Sequence, residues 1–561
     1  MHQYPNKTKS LRQLRVPLFS AVAIGAIVSA GAVAQIAGPQ APLSFKTDYL
    51  GYAASVSPRA IYTDNIDLDP DGLEESAAIL STVFKANGII SNRRFTGLIS
   101  GDLDFSFVTD DSDFRINQDI GGTGTFTAIQ NWLYADVGGS TSRQLIGDNA
   151  GFSSNVNAGR DQQANVHNFS VSPYVYHRLA NQSAVELRYR FSQVFIDDSD
   201  SAIGQNVNEF LNDSRTHEAL ASYQSGALFD RLRFTLSAYG NRTVEDGSSI
   251  VPRFEYEQGS LTAEVQYALS RSFSLSGAIG YDDVSTEADV QLFDDDALSG
   301  VFWRAGFTAR PGRRTELRLE YGQRYDDDFV DASLRYNISE RFTLQAGAAR
   351  TFQTRAQSIA RRFRSVQQQT LEFADRLRAG DTLSPEAVIA TATQAGGGRT
   401  DAQSVGIGAS NDAFVQLIGR FDRTSVTLNA NYQDTDFGFR ENENIGASLN
   451  VTRELSRKLR AYGNVFYRES ETIIDPGACL ASPFLFGFDS TAPGFDAVQS
   501  CNDFALANGE TQTIGGRVGA AYQLYKNLSV FGEYSHTDRQ SPVDVLEYNE
   551  NTFTAGLTLD F

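Results

Sequence analysis

The feature that most constrains this chain is an alternation of apolar and polar residues that recurs along most of its 561 residues. In the C-terminal segment NTFTAGLTLDF, apolar residues occupy every second position and end at Phe561. Successive side chains of a β-strand point to opposite faces of a sheet, so this period of two predicts a strand with one apolar face and one polar face. Similar segments begin near Phe95, Val185, Leu232 and Leu459. The chain is therefore predicted to be all-β.

The polar faces of these strands carry charged residues, which are unfavourable against lipid and well solvated in an aqueous lumen. A soluble sheet of this size would have to cover its edges, whereas a closed barrel has none. The connections alternate between short turns and long acidic loops, as they do in outer-membrane barrels. We predict a transmembrane antiparallel up-and-down β-barrel of about 22 strands, within a range of roughly 18 to 24, and one helical loop insertion.

Strand alternation also assigns individual charged side chains to the lumen. The basic candidates for lumen-facing positions are Arg188, Arg190, Arg233, Arg318, Arg460, Arg468 and Arg517. The acidic candidates are Asp102, Asp104, Glu186, Glu316 and Glu320. A diffusion channel built from these strands would present opposed charged rows across an open lumen.

The N-terminus carries the pattern of a secretory signal peptide. Basic residues precede an apolar run from Leu18 to Ala34, and the small residues at its end give an A-x-A site before Gln35. An anchoring helix is disfavoured because no positive stop follows the run. We predict cleavage between Ala34 and Gln35. The segments are then a signal peptide (1–34), a short periplasmic lead (35–48) and an outer-membrane barrel (49–561).

The two cysteines, Cys479 and Cys501, lie in one long predicted loop, residues 468–510. An exported protein meets an oxidising periplasm, which favours a disulfide between them. Closing a loop of this length is worth roughly 3 kcal/mol in the chain-entropy model. The alternatives are two free thiols or a metal site. A metal site is disfavoured because no histidine is near and the spacing is not C-x-x-C.

One insertion, residues 353–400, breaks the alternation. Its apolar residues recur at intervals of three and four, which predicts an amphipathic helix, and arginine outnumbers the acidic residues around it. An apolar stripe must be covered by other residues. The helix either caps the loops on the outside or folds into the lumen as a lid. The arginines that would form this lid are Arg355, Arg361, Arg362 and Arg364.

The composition and motifs exclude several function classes. The chain has 68 acidic and 48 basic residues, a net charge of −20, which argues against nucleic acid as a partner. Five scattered histidines and the absence of H-E-x-x-H, G-x-S-x-G or a P-loop predict a protein that is not an enzyme. The acidic loop DLDPDG resembles the start of an EF-hand but lacks the glutamate at the twelfth position. A solvated loop is favoured over a calcium site, and no cofactor is predicted.

Two stretches resemble known families. The terminal alternating strand resembles the C-terminal signature of Gram-negative outer-membrane barrels, whose last Phe is recognised by the barrel-assembly machinery. The stretch Tyr62-Thr63-Asp64-Asn65, within SPRAIYTDNIDLDPDG, resembles the first-hairpin motif of the family named β-barrel porin 2. Some relatives of that family are associated with exopolysaccharide and exosortase systems. The resemblance implies a barrel with a pore and carries no catalytic residues.

Three functions are considered for such a barrel. The favoured one is a porin-like channel for passive diffusion of small hydrophilic solutes or saccharides across the Gram-negative outer membrane. The alternative is an accessory barrel for exopolysaccharide export or surface attachment. An energy-coupled receptor is disfavoured, since the lead before the first predicted strand is too short for a plug domain. The expected partners are outer-membrane lipid and lipopolysaccharide, the assembly machinery, and the solutes or polysaccharide.

Overall fold

The computed structural model of the chain describes most of the predicted barrel. The described residues are 39, 49–109, 113–145, 153, 155, 157–159, 163–197, 213–226, 231–246, 253–288, 298–325, 327–354, 407–436, 440–474, 476–481, 483, 495–507 and 509–561. The predicted signal peptide with its cleavage site at Ala34 and Gln35 lies outside these residues. So does the predicted lid with Arg355, Arg361, Arg362 and Arg364.

The described strands form one sheet of 22 antiparallel strands, which confirms the predicted fold. Their bounds are β1 (Tyr49–Thr63), β2 (Ala77–Ser91), β3 (Phe95–Val108), β4 (Asp113–Ile129), β5 (Leu133–Leu145), β6 (Gln163–Arg178), β7 (Ala184–Asp197), β8 (Ser214–Gln224), β9 (Leu232–Glu245), β10 (Phe254–Ala268), β11 (Phe273–Ala288), β12 (Gly300–Gly312), β13 (Thr315–Arg324), β14 (Asp327–Asn337), β15 (Phe342–Thr354), β16 (Ile407–Arg420), β17 (Thr424–Asp436), β18 (Arg440–Glu454), β19 (Leu459–Ile474), β20 (Thr511–Tyr525), β21 (Leu528–Gln540) and β22 (Tyr548–Asp560).

Each strand pairs with its neighbours in sequence, and the last strand closes the sheet onto the first. The β1–β22 register runs from Ser55 opposite Asp560 to Thr63 opposite Thr552. The backbone N–H of Phe561 also donates to the carbonyl of Ala54 at 2.8 Å. Closure leaves the barrel without an edge strand, so the backbone groups of the strands are paired within the sheet.

The two faces of the barrel wall differ in chemistry. On β22 the side chains of Phe553 and Leu557 are 54% and 42% exposed, whereas Glu550 and Thr552, at the alternate positions of the same strand, are buried. Phe561, directly after the strand, is 68% exposed. The same alternation exposes large apolar side chains on one face of nearly every strand. The concave face of a closed barrel is the crowded one, so the buried polar side chains line the inside and the exposed apolar ones face outward.

The connections divide the barrel into two rims. At the rim that holds both termini of the sheet, which we call the short-turn rim, ten turns of two to seven residues join the strands. The opposite rim, the long-loop rim, has seven connections of eight residues or more and four shorter ones, at residues 109–112, 325–326, 437–439 and 541–547. Among the described residues, no helix is long and apolar enough to cross a membrane.

Helix occurs only at the long-loop rim in the described chain. The β19–β20 connection contains α1 (Pro476–Ala481) and α2 (Ala497–Ala507), and a 3₁₀ turn (Asp544–Leu546) precedes β22. Cys479 on α1 and Cys501 on α2 form a disulfide with a Cα–Cα distance of 5.9 Å, which confirms the predicted pairing. The strand β19 runs to Ile474, so this loop begins later than residue 468.

Candidate solute pathway along the inner wall

The inner face of β1–β14, which we call the charged wall, is lined by ion pairs between neighbouring strands. Asp104 on β3 accepts hydrogen bonds from Arg59 on β1 at 2.5 Å and from Ser81 on β2 at 2.5 Å. Two residues closer to the short-turn rim on β3, Asp102 pairs with Lys85 at 2.7 Å. A carboxylate surrounded by several donors is held in one place, which fixes the shape of the wall.

A second group lies on β5–β9. Arg188 donates to Glu186 on its own strand at 2.5 Å and to Asp136, two strands away, at 2.7 Å. Its guanidinium lies 3.7 Å from the centre of the Tyr174 ring. Arg190 then continues the network to Glu218 at 2.9 Å. Arginine is suited to this position because its planar group can stack and hydrogen-bond at once.

A third group lies on β10–β14. Arg304 pairs with Glu264 at 2.5 Å and with Glu320 at 3.4 Å, and Arg318 also donates to Glu320 at 2.9 Å. Ser276 donates a further hydrogen bond to Glu320 at 3.1 Å. Glu320 and Arg304 are both almost fully buried, so charge is neutralised within the wall itself.

Nearer the long-loop rim, Arg324 makes a bidentate contact with Asp282, with distances of 2.6 and 3.0 Å. The guanidinium also lies 4.6 Å from the ring centre of Phe302. Next to this pair is an apolar cluster that includes Phe254 and Tyr256. The pair is therefore shielded from water on the side of the carboxylate, which is 2% exposed.

The inner face of β16–β19, which we call the amide wall, has a different composition. Each of these described strands has a central stretch in which no inward side chain is charged. The stretches are 414–418 on β16, 427–433 on β17, 444–450 on β18 and 462–466 on β19. Hydrogen bonds run across the strands from Gln416 to Asn429 at 2.9 Å and from Asn429 to Ser448 at 3.2 Å. Asn464 donates to Asn450 at 2.8 Å. The lumen is thus chemically asymmetric.

At the long-loop rim, part of the β5–β6 connection folds inward against the wall. The side chain of Asn157 is buried, contacts Asn117 at 2.9 Å and donates to Ser106 at 3.2 Å. Arg115 donates to the carbonyl of Asn157 at 2.9 Å. The carbonyl of Ile66, in the β1–β2 loop, accepts from the N–H of Gly159 at 2.9 Å. These contacts attach the described part of the loop to β3, β4 and the β1–β2 loop at the mouth of the barrel.

The twelve charged residues assigned to the lumen by alternation all lie on the inner side of the wall. Asp102, Asp104, Glu186, Arg188, Arg190, Arg318 and Glu320 belong to the ion pairs described above. Arg468 donates to Asn444 at 3.1 Å, and Glu316 pairs with Arg310 at the short-turn rim. The remaining three are exposed on the inner face, namely Arg233, Arg460 and Arg517.

Most of these charges form ion pairs along the wall, within one strand or between nearby strands. Several partners were missed, although they obey the same alternation: Arg59, Lys85, Asp136, Glu218, Glu264, Asp282, Arg304 and Arg324. Their pairing depends on which residues the register brings together across strands. The described residues contain no group of three or more His, Cys, Asp or Glu side chains arranged to hold a metal ion.

A closed barrel with an apolar outer face and a charged, hydrogen-bonded inner face is an outer-membrane β-barrel. No family model matches the sequence, and no curated protein sequence matches it. The chain is similar to the solved structure of the ferric-catecholate import receptor Fiu from E. coli K12 in its open form, with 11% identity, 93% of this chain and 82% of that chain covered, and a TM-score of 0.46. It is also similar to the siderophore receptor PiuA from Acinetobacter baumannii, with 10% identity, 93% of this chain and 82% of that chain covered, and a TM-score of 0.45. A third similar structure is the siderophore receptor PirA from Pseudomonas aeruginosa, with 13% identity, 92% of this chain and 80% of that chain covered, and a TM-score of 0.38.

Proposed function

We propose that the protein is a porin-like channel for passive diffusion of small hydrophilic solutes. The observation that carries this proposal is the hydrophilic inner face, which continues around all 22 strands. Side chains such as Arg517, exposed on the inner face at mid-strand, need water to be solvated. A wet lumen between the two rims is a path for solutes. The resemblance of the stretch from Tyr62 to Asn65 to the first-hairpin motif of β-barrel porin 2 supports the same class of protein, a porin-like channel.

The proposed partners, lipid, lipopolysaccharide and the barrel-assembly machinery, are inferred from the outer surface of the barrel. The exposed apolar side chains on the outer face of the strands meet lipid, and we assign the long-loop rim to the cell surface, where lipopolysaccharide lies. The terminal Phe561 is exposed on the outer side of the closing strand, where the barrel-assembly machinery could reach it. Export requires the predicted signal peptide.

Conductance of the refolded full chain in planar lipid bilayers tests the channel directly. We expect stepwise current increases in KCl and weak ion selectivity, since most inner charges are neutralised by a neighbour. Heat-denatured protein from the same preparation is the control for detergent leaks. Folded, heat-modifiable protein that inserts and gives no current steps would overturn the proposal.

A pair of variants localises the current to the lumen. Arg517 lies on the inner face of β20, and Arg215 lies on the outer face of β8 near the long-loop rim; both are exposed. Arg517→Glu should shift the reversal potential in a salt gradient toward cation preference, because a charge beside the current changes the local ion concentration. Arg215→Glu should leave it unchanged. Equal shifts in both variants would argue against a path through the barrel.

A further inference from the structure

Two seams of the barrel wall depart from complete strand pairing. The β4–β5 ladder ends at Ile120 opposite Thr141, although both strands continue toward the long-loop rim. The β14–β15 ladder ends in the same way at Ala332 opposite Ala348. Each of the four strands stays paired with its neighbour on the other side. The two strands of each seam therefore part from each other without leaving the sheet.

The two parted stretches differ in depth. The β4–β5 ladder covers residues 120–129 of β4, about the length that a tilted strand needs to cross the hydrocarbon. Its parted stretch projects beyond the membrane, where Arg143 donates to Asn117 and Asn117 contacts Asn157. The β14–β15 ladder covers only residues 332–337 of β14, which rise about 15 Å in a tilted strand, half of a typical hydrocarbon core. The β14–β15 seam is thus parted at membrane depth.

The length of β14 places its parted stretch, residues 327–331, in the half of the membrane nearer the long-loop rim. The whole strand has eleven residues, which a tilted strand uses to cross the hydrocarbon. About half of the backbone N–H and C=O groups of residues 327–331 point toward β15. Lipid cannot hydrogen-bond these groups, so irregular backbone at this depth has to line a water-filled space. The gap is therefore expected to be wetted from the lumen.

Side chains frame this gap in two tiers. At the rim, Arg350 on β15 reaches across to β14: its Nη2 lies 2.6 Å from the Asp327 carboxylate, and its Nη1 donates to the carbonyl of Asp328 at 3.1 Å. Below this bar, β14 contributes the half-buried side chain of Phe329 and the exposed side chain of Val330. The opening has a polar upper end and an apolar margin next to lipid.

The lumen side of the same stretch is polar. Asp331 is buried there, beside the ion-pair group of Arg304, Arg318 and Glu320. We propose that the β14–β15 seam is a lateral window through which single-chain amphiphiles move between the lumen and the outer leaflet. The polar head of such a molecule stays in water while its hydrocarbon chain passes between the strands into lipid. This function goes beyond the proposed channel, since it needs a wet lumen but no solute path between the rims.

Photolabelling of the refolded full chain in lipid nanodiscs tests the window. The probe is a lysophosphatidylcholine with a diazirine at the end of its chain. Phe329 and Ala349, inward positions on either side of the window, should be labelled more than Ser448, an inward residue on β18, whose ladder with β17 is complete. A probe that enters only through the mouth of the lumen would label all three alike. Equal labelling would overturn the proposal.

A disulfide across the seam provides the matched perturbation. Val330 and Arg350 become opposite neighbours when the ladder is extended, so Val330→Cys/Arg350→Cys can be oxidised into a staple that closes the window. Oxidation should abolish the window labelling and reduction should restore it, with wild-type protein in the same reductant as the control for the native disulfide. Tyr432→Cys/Ile445→Cys staples opposed residues of a complete ladder and should leave the labelling unchanged. Window labelling that survives the Val330–Arg350 staple would contradict the proposal.

Hydrogen exchange gives a readout that needs neither the probe nor the staple. Backbone amides at residues 329–331 should exchange faster than those at residues 430–432 of β17, a strand that is paired on both sides. Equal protection would overturn the window, including the case in which the staple does not form. Current steps without window labelling leave the channel proposal standing and refute the window. Window labelling without current steps does the reverse.

Discussion

Replacing Asp282 by Asn should destabilise the barrel strongly, because it leaves a shielded guanidinium without its counter-charge. Asp282 is 2% exposed and Arg324 is 24% exposed, with contacts of 2.6 and 3.0 Å between them. Breaking a buried ion pair from one side destabilises by 3–5 kcal/mol in general, and the partial exposure of Arg324 places this case at about 3 kcal/mol. That value corresponds to roughly a 150-fold change in the unfolding equilibrium.

The comparison variant is Asp246→Asn. Asp246 pairs with Arg215 at 2.9 Å, but these side chains are 42% and 53% exposed, so the expected loss is below about 1 kcal/mol. Urea unfolding of the refolded protein in micelles, followed by far-UV circular dichroism, measures both losses. Combining Asp282→Asn with Arg324→Met should recover part of the stability, since no isolated charge then remains. Equal losses for the Asp282 and Asp246 variants would refute the reasoning.

Three further outcomes are expected. A Cβ at Gly124 would lie 2.5 Å from the Phe95 ring, so Gly124→Ala should lower the free energy of unfolding by about 1–3 kcal/mol. Adding Phe95→Leu should restore part of this stability in the same urea assay. Replacing Cys479 and Cys501 by Ser should leave the barrel heat-modifiable but make the loop at residues 475–510 easier to cleave, by limited proteolysis. Phe561→Lys should reduce outer-membrane levels of folded protein on unheated gels; normal levels would count against an assembly role.

Much of the fold could be predicted from the sequence because each strand carries its own signal. The period of two identifies both the strand and the side of the wall on which each residue lies, without knowledge of any other strand. The sequence signal of β4 is weak because Gly121, Gly122 and Gly124 have no side chain to show the alternation. The Pro311-Gly312 pair is typical of a turn, but β12 continues through it after an irregularity in its register, and the turn lies at residues 313–314.

The candidate site could be predicted only in outline, because its contacts join residues far apart in the chain. Alternation places Arg188 on the inner face, but only the barrel register brings it within reach of Asp136, 52 residues away. The ring of Phe466 likewise lies over Gly515 because the register places that glycine opposite it on the next strand. The helices α1 and α2 were missed because each is short and lies in a loop stabilised by a disulfide.

The central claim is that successive residues of each strand alternate between a wet lumen and lipid, and cysteine accessibility on β22 tests it most directly. Both native cysteines are joined in a disulfide, so an introduced cysteine is the only free thiol. In membrane-embedded protein, Thr554→Cys and Thr558→Cys should react with a charged, water-soluble thiol reagent, while Ala555→Cys and Leu557→Cys should stay protected. Equal reactivity at all four positions, or the reverse pattern, would contradict a transmembrane barrel with a hydrated interior.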